Sequence, residues 1–141
     1  MRLVAFLLRP GEDLRESIEA EVARRGLSAA TVVSGVGALR QVHLRMAGAQ
    51  PGHEQVRTIK GEFEIVSLIG NLGPGRTHLH IAVADETGKV IGGHVKSGAG
   101  CIVGVTAEIV LAAEDGLRFV EKFDPETGWD NLVVERLAEG Y

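Results

Sequence analysis

His78 and His80 stand two residues apart in a strand-like run, and His94 lies in the next such run. Side chains alternate along a strand, so a spacing of two puts His78 and His80 on one face. Between the runs, Asp85-Glu86-Thr87-Gly88-Lys89 has the composition of a turn, which predicts a hairpin from residues 77–84 and 90–96 with a loop of about five residues. Folding that hairpin symmetrically about Thr87 sets His80 opposite His94, Ala82 opposite Gly92, Ala84 opposite Val90 and His78 opposite Lys96. Directly opposed residues of an antiparallel pair project to the same side, with Cβ atoms about 4.5 to 5.5 Å apart. His78, His80 and His94 therefore converge, and Gly92 and Gly93 leave space beside them.

Three neutral imidazoles suit zinc or another divalent transition metal such as nickel, copper or iron, and they leave at least one coordination position for water or substrate. Protons compete for the same nitrogens, so occupancy is expected to fall below about pH 6. The same rings could instead stand without metal, hydrogen-bonded to one another or to water, and a one-residue slip in register would separate them. His43 and His53 lack comparable partners and read as surface residues. Glu62, Glu64 and Glu108 are the carboxylates that could orient a ligating imidazole. Glu108 interrupts an otherwise apolar strand and must be paired, at an interface or on an exposed edge. Glu64 and Glu108 are also the candidates for a general base, although no spacing places them beside the histidines. Whether the site is catalytic is left open by these residues.

The elements that must position this cluster form an α/β (α+β) pattern. Residues 2–8 read as a strand stopped by Pro10-Gly11. A helix follows, with Glu12 and Asp13 at its start, Leu14, Ile18 and Val22 as its apolar stripe, and Arg24-Arg25-Gly26 at its end. Strands are then expected at 29–36, 39–46, 55–60, 63–72, 77–84, 90–96, 102–113 and 117–123. Val42, Leu44 and Met46 alternate with Gln41, His43 and Arg45, as in a sheet wet on one side. Residues 65–69 and 102–105 are apolar on both faces and need cover on both. One main N-terminal helix and a weaker one near 131–139 are too little cover for an antiparallel-rich mixed sheet of this size, which predicts a homo-oligomer. Asp124-Pro125-Glu126-Thr127-Gly128 is the break that ends the core, giving a single domain over 1–141 with a core of about 2–124. The tail, 125–141, is expected to be a short helix carrying Leu132, Val133 and Leu137, or a partly ordered arm.

Length and a 45% hydrophobic composition allow one buried core. No apolar run approaches the roughly 20 residues of a membrane span, so no membrane partner and a cytoplasmic location are expected. Cys101 is alone and reads as a small core residue. A net charge of −4, with the arginines of the N-terminal half interleaved with acids, argues against direct gripping of a phosphate backbone. Gly35-Val36-Gly37 and Gly73-Pro74-Gly75-Arg76 lack the helix and spacing of a phosphate loop and read as tight turns.

Gly61-Glu62-Phe63-Glu64-Ile65-Val66-Ser67-Leu68, His78-Leu79-His80, Gly92-Gly93-His94 and Ala107-Glu108-Ile109 together resemble the PPC (plants and prokaryotes conserved) domain. Pro10-Gly11-Glu12-Asp13 and Ser34-Gly35-Val36-Gly37-Ala38-Leu39 extend the resemblance over nearly the whole chain. It implies an antiparallel-rich sheet assembling as a homotrimer and, as in prokaryotic stand-alone members, a metal, usually zinc, on His78, His80 and His94. Plant members join the domain to AT-hooks with an Arg-Gly-Arg-Pro core and use it for self-association and protein partners. This sequence carries no such core, so the DNA-binding label of the family is expected to apply here only through a partner.

Overall fold

The computed structural model describes residues 1–138, and Glu139 of the expected second helix lies outside them. Its elements, in chain order, are β1 (Arg2–Leu8), α1 (Leu14–Arg24), β2 (Ala30–Arg45), β3 (Val56–Gly73), β4 (Arg76–Ala84), β5 (Val90–Val95), β6 (Ile102–Ala113), β7 (Leu117–Asp124) and β8 (Trp129–Arg136). Every ladder among the described residues is antiparallel. The main sheet runs β1-β6-β2-β3-β4-β5, and β5 returns to pair with β2, so that β2 to β5 close into a small barrel. An antiparallel-rich sheet with one main helix is thus the observed architecture. No helix among the described residues is long and apolar enough to cross a membrane.

Helix α1 starts where the sequence indicates. Asp13 caps it by accepting the Glu16 N–H at 2.9 Å, and Leu14, Ile18 and Val22 are buried against the sheet. Gly26 ends it with φ of 63°, a conformation that favours glycine. The core also takes Leu39, Val42, Leu44, Leu72, Leu79, Val83, Val95 and Val103, the inward residues of β2 to β6.

Two pairs of expected strands run together. Residues 29–36 and 39–46 form most of the single strand β2, and 55–60 and 63–72 form β3. The glycines that suggested breaks serve close approach instead. A Cβ on Gly37 would lie 2.1 Å from the Thr106 carbonyl oxygen, so only glycine lets β2 pass β6 there. Bulges between Leu39 and Gln41, and between Ile65 and Ser67, bend the long strands without ending them.

The expected second helix is a strand. β8 pairs with β7 from Leu117↔Arg136 to Asp124↔Trp129, and the break at residues 124–128 is the turn of that hairpin. Val133 and Val134 are β-branched and suit a strand better than a helix, and the Leu132, Val133 and Leu137 spacing was too short a pattern to outweigh them. A two-stranded ribbon results, and β7 ties it to the body: the Phe119 N–H donates to the Ser28 carbonyl at 2.9 Å, and Ser28 Oγ donates to the Leu117 carbonyl at 2.6 Å.

The sheet keeps an apolar outer surface. Leu3, Val66 and Val105 are 68%, 60% and 68% exposed, and Val33, Val36 and Ile69 are exposed as well. These include the stretches that the sequence marked as apolar on both faces.

Candidate metal centre

The β4–β5 hairpin has the register expected over most of its length. His80 faces His94, Ala82 faces Gly92 and Ala84 faces Val90. The pairing of His78 with Lys96 is not made: the ladder ends at His80↔His94, and the Lys96 N–H donates to the His43 carbonyl at 3.1 Å. The cause is that β5 leaves β4 for β2, where Leu44 pairs with Val95 and Arg45 with His94. Gly93 makes that crossing possible, since a Cβ there would lie 2.7 Å from the Arg45 carbonyl oxygen, and Gly92 serves the pairing with β4, where a Cβ would lie 2.5 Å from the Ile81 carbonyl oxygen.

His78, His80 and His94 nevertheless meet. One ring nitrogen from each lies within 4.8 Å of the other two. His78 Nε2 and His80 Nε2 are 3.2 Å apart, and the ring centroids are separated by 4.9, 5.3 and 5.6 Å. Two tetrahedral ligands, each about 2.1 Å from a zinc ion, are themselves about 3.4 Å apart, so the closest pair already has a suitable spacing. His94 Nδ1 is buried with no hydrogen-bond partner, a loss of about 1–3 kcal/mol that a cation or water would remove. The donor set therefore fits a divalent transition metal.

Electrostatics favour the ligating form. Burial, followed by the charges of His80, Arg76, Arg45 and Arg15, lowers the His78 pKa. Burial, followed by Arg45, His78, His80 and Arg15, depresses that of His94 to about 3. These rings stay neutral further into acid than free imidazole. Burial therefore weakens proton competition at His78 and His94.

Three residues beside the cluster carried little signal in the sequence. Arg76 is buried and donates to Asn71 Oδ1 at 2.7 Å and Glu121 Oε1 at 3.1 Å, with Nη2 3.4 Å from His78 Nδ1. It stands two residues before His78, so strand alternation alone places it on the imidazole face. Arg45 and Trp129 reach the site only through long-range pairing, with the guanidinium 4.6 Å from the indole ring.

The carboxylate candidates lie elsewhere. Glu62 and Glu64 line a groove with Ala38, Arg40, Asp85 and Glu86, and Glu64 pairs with Ala38 and Ala84. Glu108 is exposed on β6, between Leu7 of β1 and Val36 of β2. None of them belongs to the group of histidines. His43 is half-buried, its Nδ1 2.7 Å from Thr58 Oγ1, and His53 is exposed. Cys101 is buried and free, and desolvation raises its thiol pKa to about 11, which suits a core residue and not a nucleophile.

Residues 1–115 match the Plants and Prokaryotes Conserved (PCC) domain. The chain belongs to that family. Among its relatives is the bifunctional protein GlmU of Synechococcus sp. (strain JA-3-3Ab), 39% identical over 139 residues that cover 99% of this chain and 21% of GlmU. The AT-hook motif nuclear-localized protein 20 of Arabidopsis thaliana is 35% identical over 135 residues, covering 92% of this chain and 46% of that protein. The chain thus spans less than half of either relative. Among solved structures, a hypothetical protein from Salmonella superposes with a TM-score of 0.88 at 34% identity, covering 96% of this chain and 94% of that one. A metal-containing protein from Archaeoglobus fulgidus superposes with a TM-score of 0.78 at 25% identity, covering 94% of each chain. The PCC match ends before β7, so the β7–β8 ribbon and Trp129 lie beyond it.

Proposed function

We propose that this PCC-domain protein holds a divalent metal ion, with zinc the first choice, on His78, His80 and His94, as the resemblance to prokaryotic members of its family implies. It assembles as a homotrimer and acts as an interaction or regulatory module. The convergence of three imidazoles, with His94 Nδ1 buried and unpartnered, carries the metal part of this reading. The exposed Leu3, Val66 and Val105 support the assembly, because a second copy is the simplest cover for apolar residues projecting from a sheet. The AT-hook protein of Arabidopsis supports an association with DNA, and the net charge of −4 favours a contact made through a partner protein. The protein works in the cytoplasm, without a membrane partner.

Three protein ligands would leave a bound ion a position for water or substrate, which favours a second reading, a metal-dependent enzyme of hydrolase or lyase type. A bound zinc would supply Lewis acidity toward water or a carbonyl oxygen. The chain's own part would be to hold the ion through neutral rings and to keep the adjoining space clear with Gly92 and Gly93. Glu64 and Glu108 have no role in that reading, since neither stands with the histidines.

Sedimentation equilibrium separates these ideas from an isolated domain. The expected mass is three times 15.0 kDa at micromolar concentration. A monomer would remove the assembly, and retardation of naked DNA at physiological salt would remove the dependence on a partner. Turnover of an ester, amide or phosphoester by the metal-loaded protein, lost in His80→Ala, would favour the enzyme.

A further inference from the structure

The histidine cluster opens onto a cavity of about 500 Å3 whose wall includes Arg45, Met46, Ile69, His80, His94 and Trp129. Arg45 is paired directly with His94 across β2 and β5, so both side chains leave the strands on the same side. Arg45 Nη1 lies 3.5 Å from Glu54 Oε1, while Glu54 Oε2 also takes Lys96 Nζ at 3.2 Å. One carboxylate shared by two cations leaves that rim with surplus positive charge. Trp129 stacks on the guanidinium and comes from the β7–β8 ribbon, so that ribbon supplies part of the cavity wall.

We propose that the cavity binds a small organic carboxylate, its head group between the histidine-held metal and Arg45 and its short carbon chain against Met46, Ile69 and Trp129. This rests on the metal reading of His78, His80 and His94. A divalent ion on three neutral imidazoles has no protein carboxylate to offset its charge, and the grouped ligands include none. A carboxylate also matches the planar fork of a guanidinium, which Lys could not reproduce. The chain selects for carbon because the rest of the wall offers methylene and aromatic surface, and each added methylene should tighten binding about fourfold.

The full chain loaded with cobalt(II) gives a visible spectrum that reports the coordination sphere independently of any activity. Acetate, propionate, butyrate and inorganic phosphate are titrated against it, with affinities from calorimetry. Carboxylates should change the spectrum, butyrate should bind more tightly than acetate, and Arg45→Gln should weaken each by about tenfold or more. Trp129→Ala should flatten the dependence on chain length while leaving acetate bound. If Arg45→Gln does not fold, the Trp129→Ala series decides. Cobalt uptake with no response to tens of millimolar carboxylate overturns the ligand and leaves the metal site standing. So does an equal response to phosphate with no chain-length effect. Failure to take up cobalt removes the metal reading and this ligand together.

Discussion

Two hairpins of this protein turn on similar residues and meet different fates. In β4–β5, Asp85 Oδ1 accepts the N–H groups of Thr87 at 2.8 Å and Lys89 at 3.0 Å, as well as the Thr87 hydroxyl at 2.6 Å. In β7–β8, Asp124 accepts the Glu126 N–H at 2.9 Å and the Asn131 side-chain amide at 3.0 Å. Each turn closes on a glycine, with φ of 84° at Gly88 and 78° at Gly128, which no side chain adopts readily. Yet β5 is joined to β2 as well as β4, whereas among the described residues β8 is paired with β7 alone. Turn chemistry accounts for each hairpin, and at Gly93 the lack of a side chain lets a second strand come close to β5. Gly93 admits β2 and Gly92 admits β4, while β8 has β7 alone beside it among the described residues.

Acid should separate the two hairpins most strongly. His94 is held near 3 against its usual 6.5, so below 6.5 the unfolded chain takes up a proton that the folded chain refuses. Stability of the metal-free protein should therefore fall as pH drops from about 6.5 toward 3, and His94→Asn should flatten that slope in denaturant titrations. An unchanged slope would mean that the ring is not held neutral by its surroundings. Next in size, Gly93→Val should cost about 1–3 kcal/mol by pushing β5 from β2. A melting temperature equal to that of the parent would show that the close strand approach is not required. Smaller still, Asp85→Ala, which removes three hydrogen bonds from the turn, should lower the melting temperature and loosen the histidine cluster. Asp124→Ala should cost no more than about 1 kcal/mol, confined to the ribbon and visible in Trp129 fluorescence. Equal losses in the two aspartate variants would dissolve the distinction between a hairpin built into the sheet and one appended to it.

The same contrast explains what could be read in advance. The β4–β5 register followed from two runs and a turn close in sequence, and it holds at His80, Ala82 and Ala84. It fails at His78 because the competing strand, β2, lies far away in the chain, where local symmetry carries no information. Helix α1 was legible from Asp13 and the Leu14, Ile18, Val22 stripe, all within one element. The ribbon was not, because a few apolar residues near Leu132 fit a helical spacing as well as an alternating one. Arg45 and Trp129 were invisible as site residues for the same reason as the failed pairing: each meets the histidines only after distant strands have joined. The carboxylates were the opposite case, since Glu64 and Glu108 had suitable chemistry and no positional warrant.

Elemental analysis of untagged protein, beside His94→Ala prepared in parallel, is the most direct test of the central claim. Parent protein should carry about one transition-metal ion per chain, and the variant, left with two imidazoles, should carry almost none. Parent protein that remains free of metal after incubation with zinc, or a variant that retains as much as the parent, would contradict a shared ion on His78, His80 and His94.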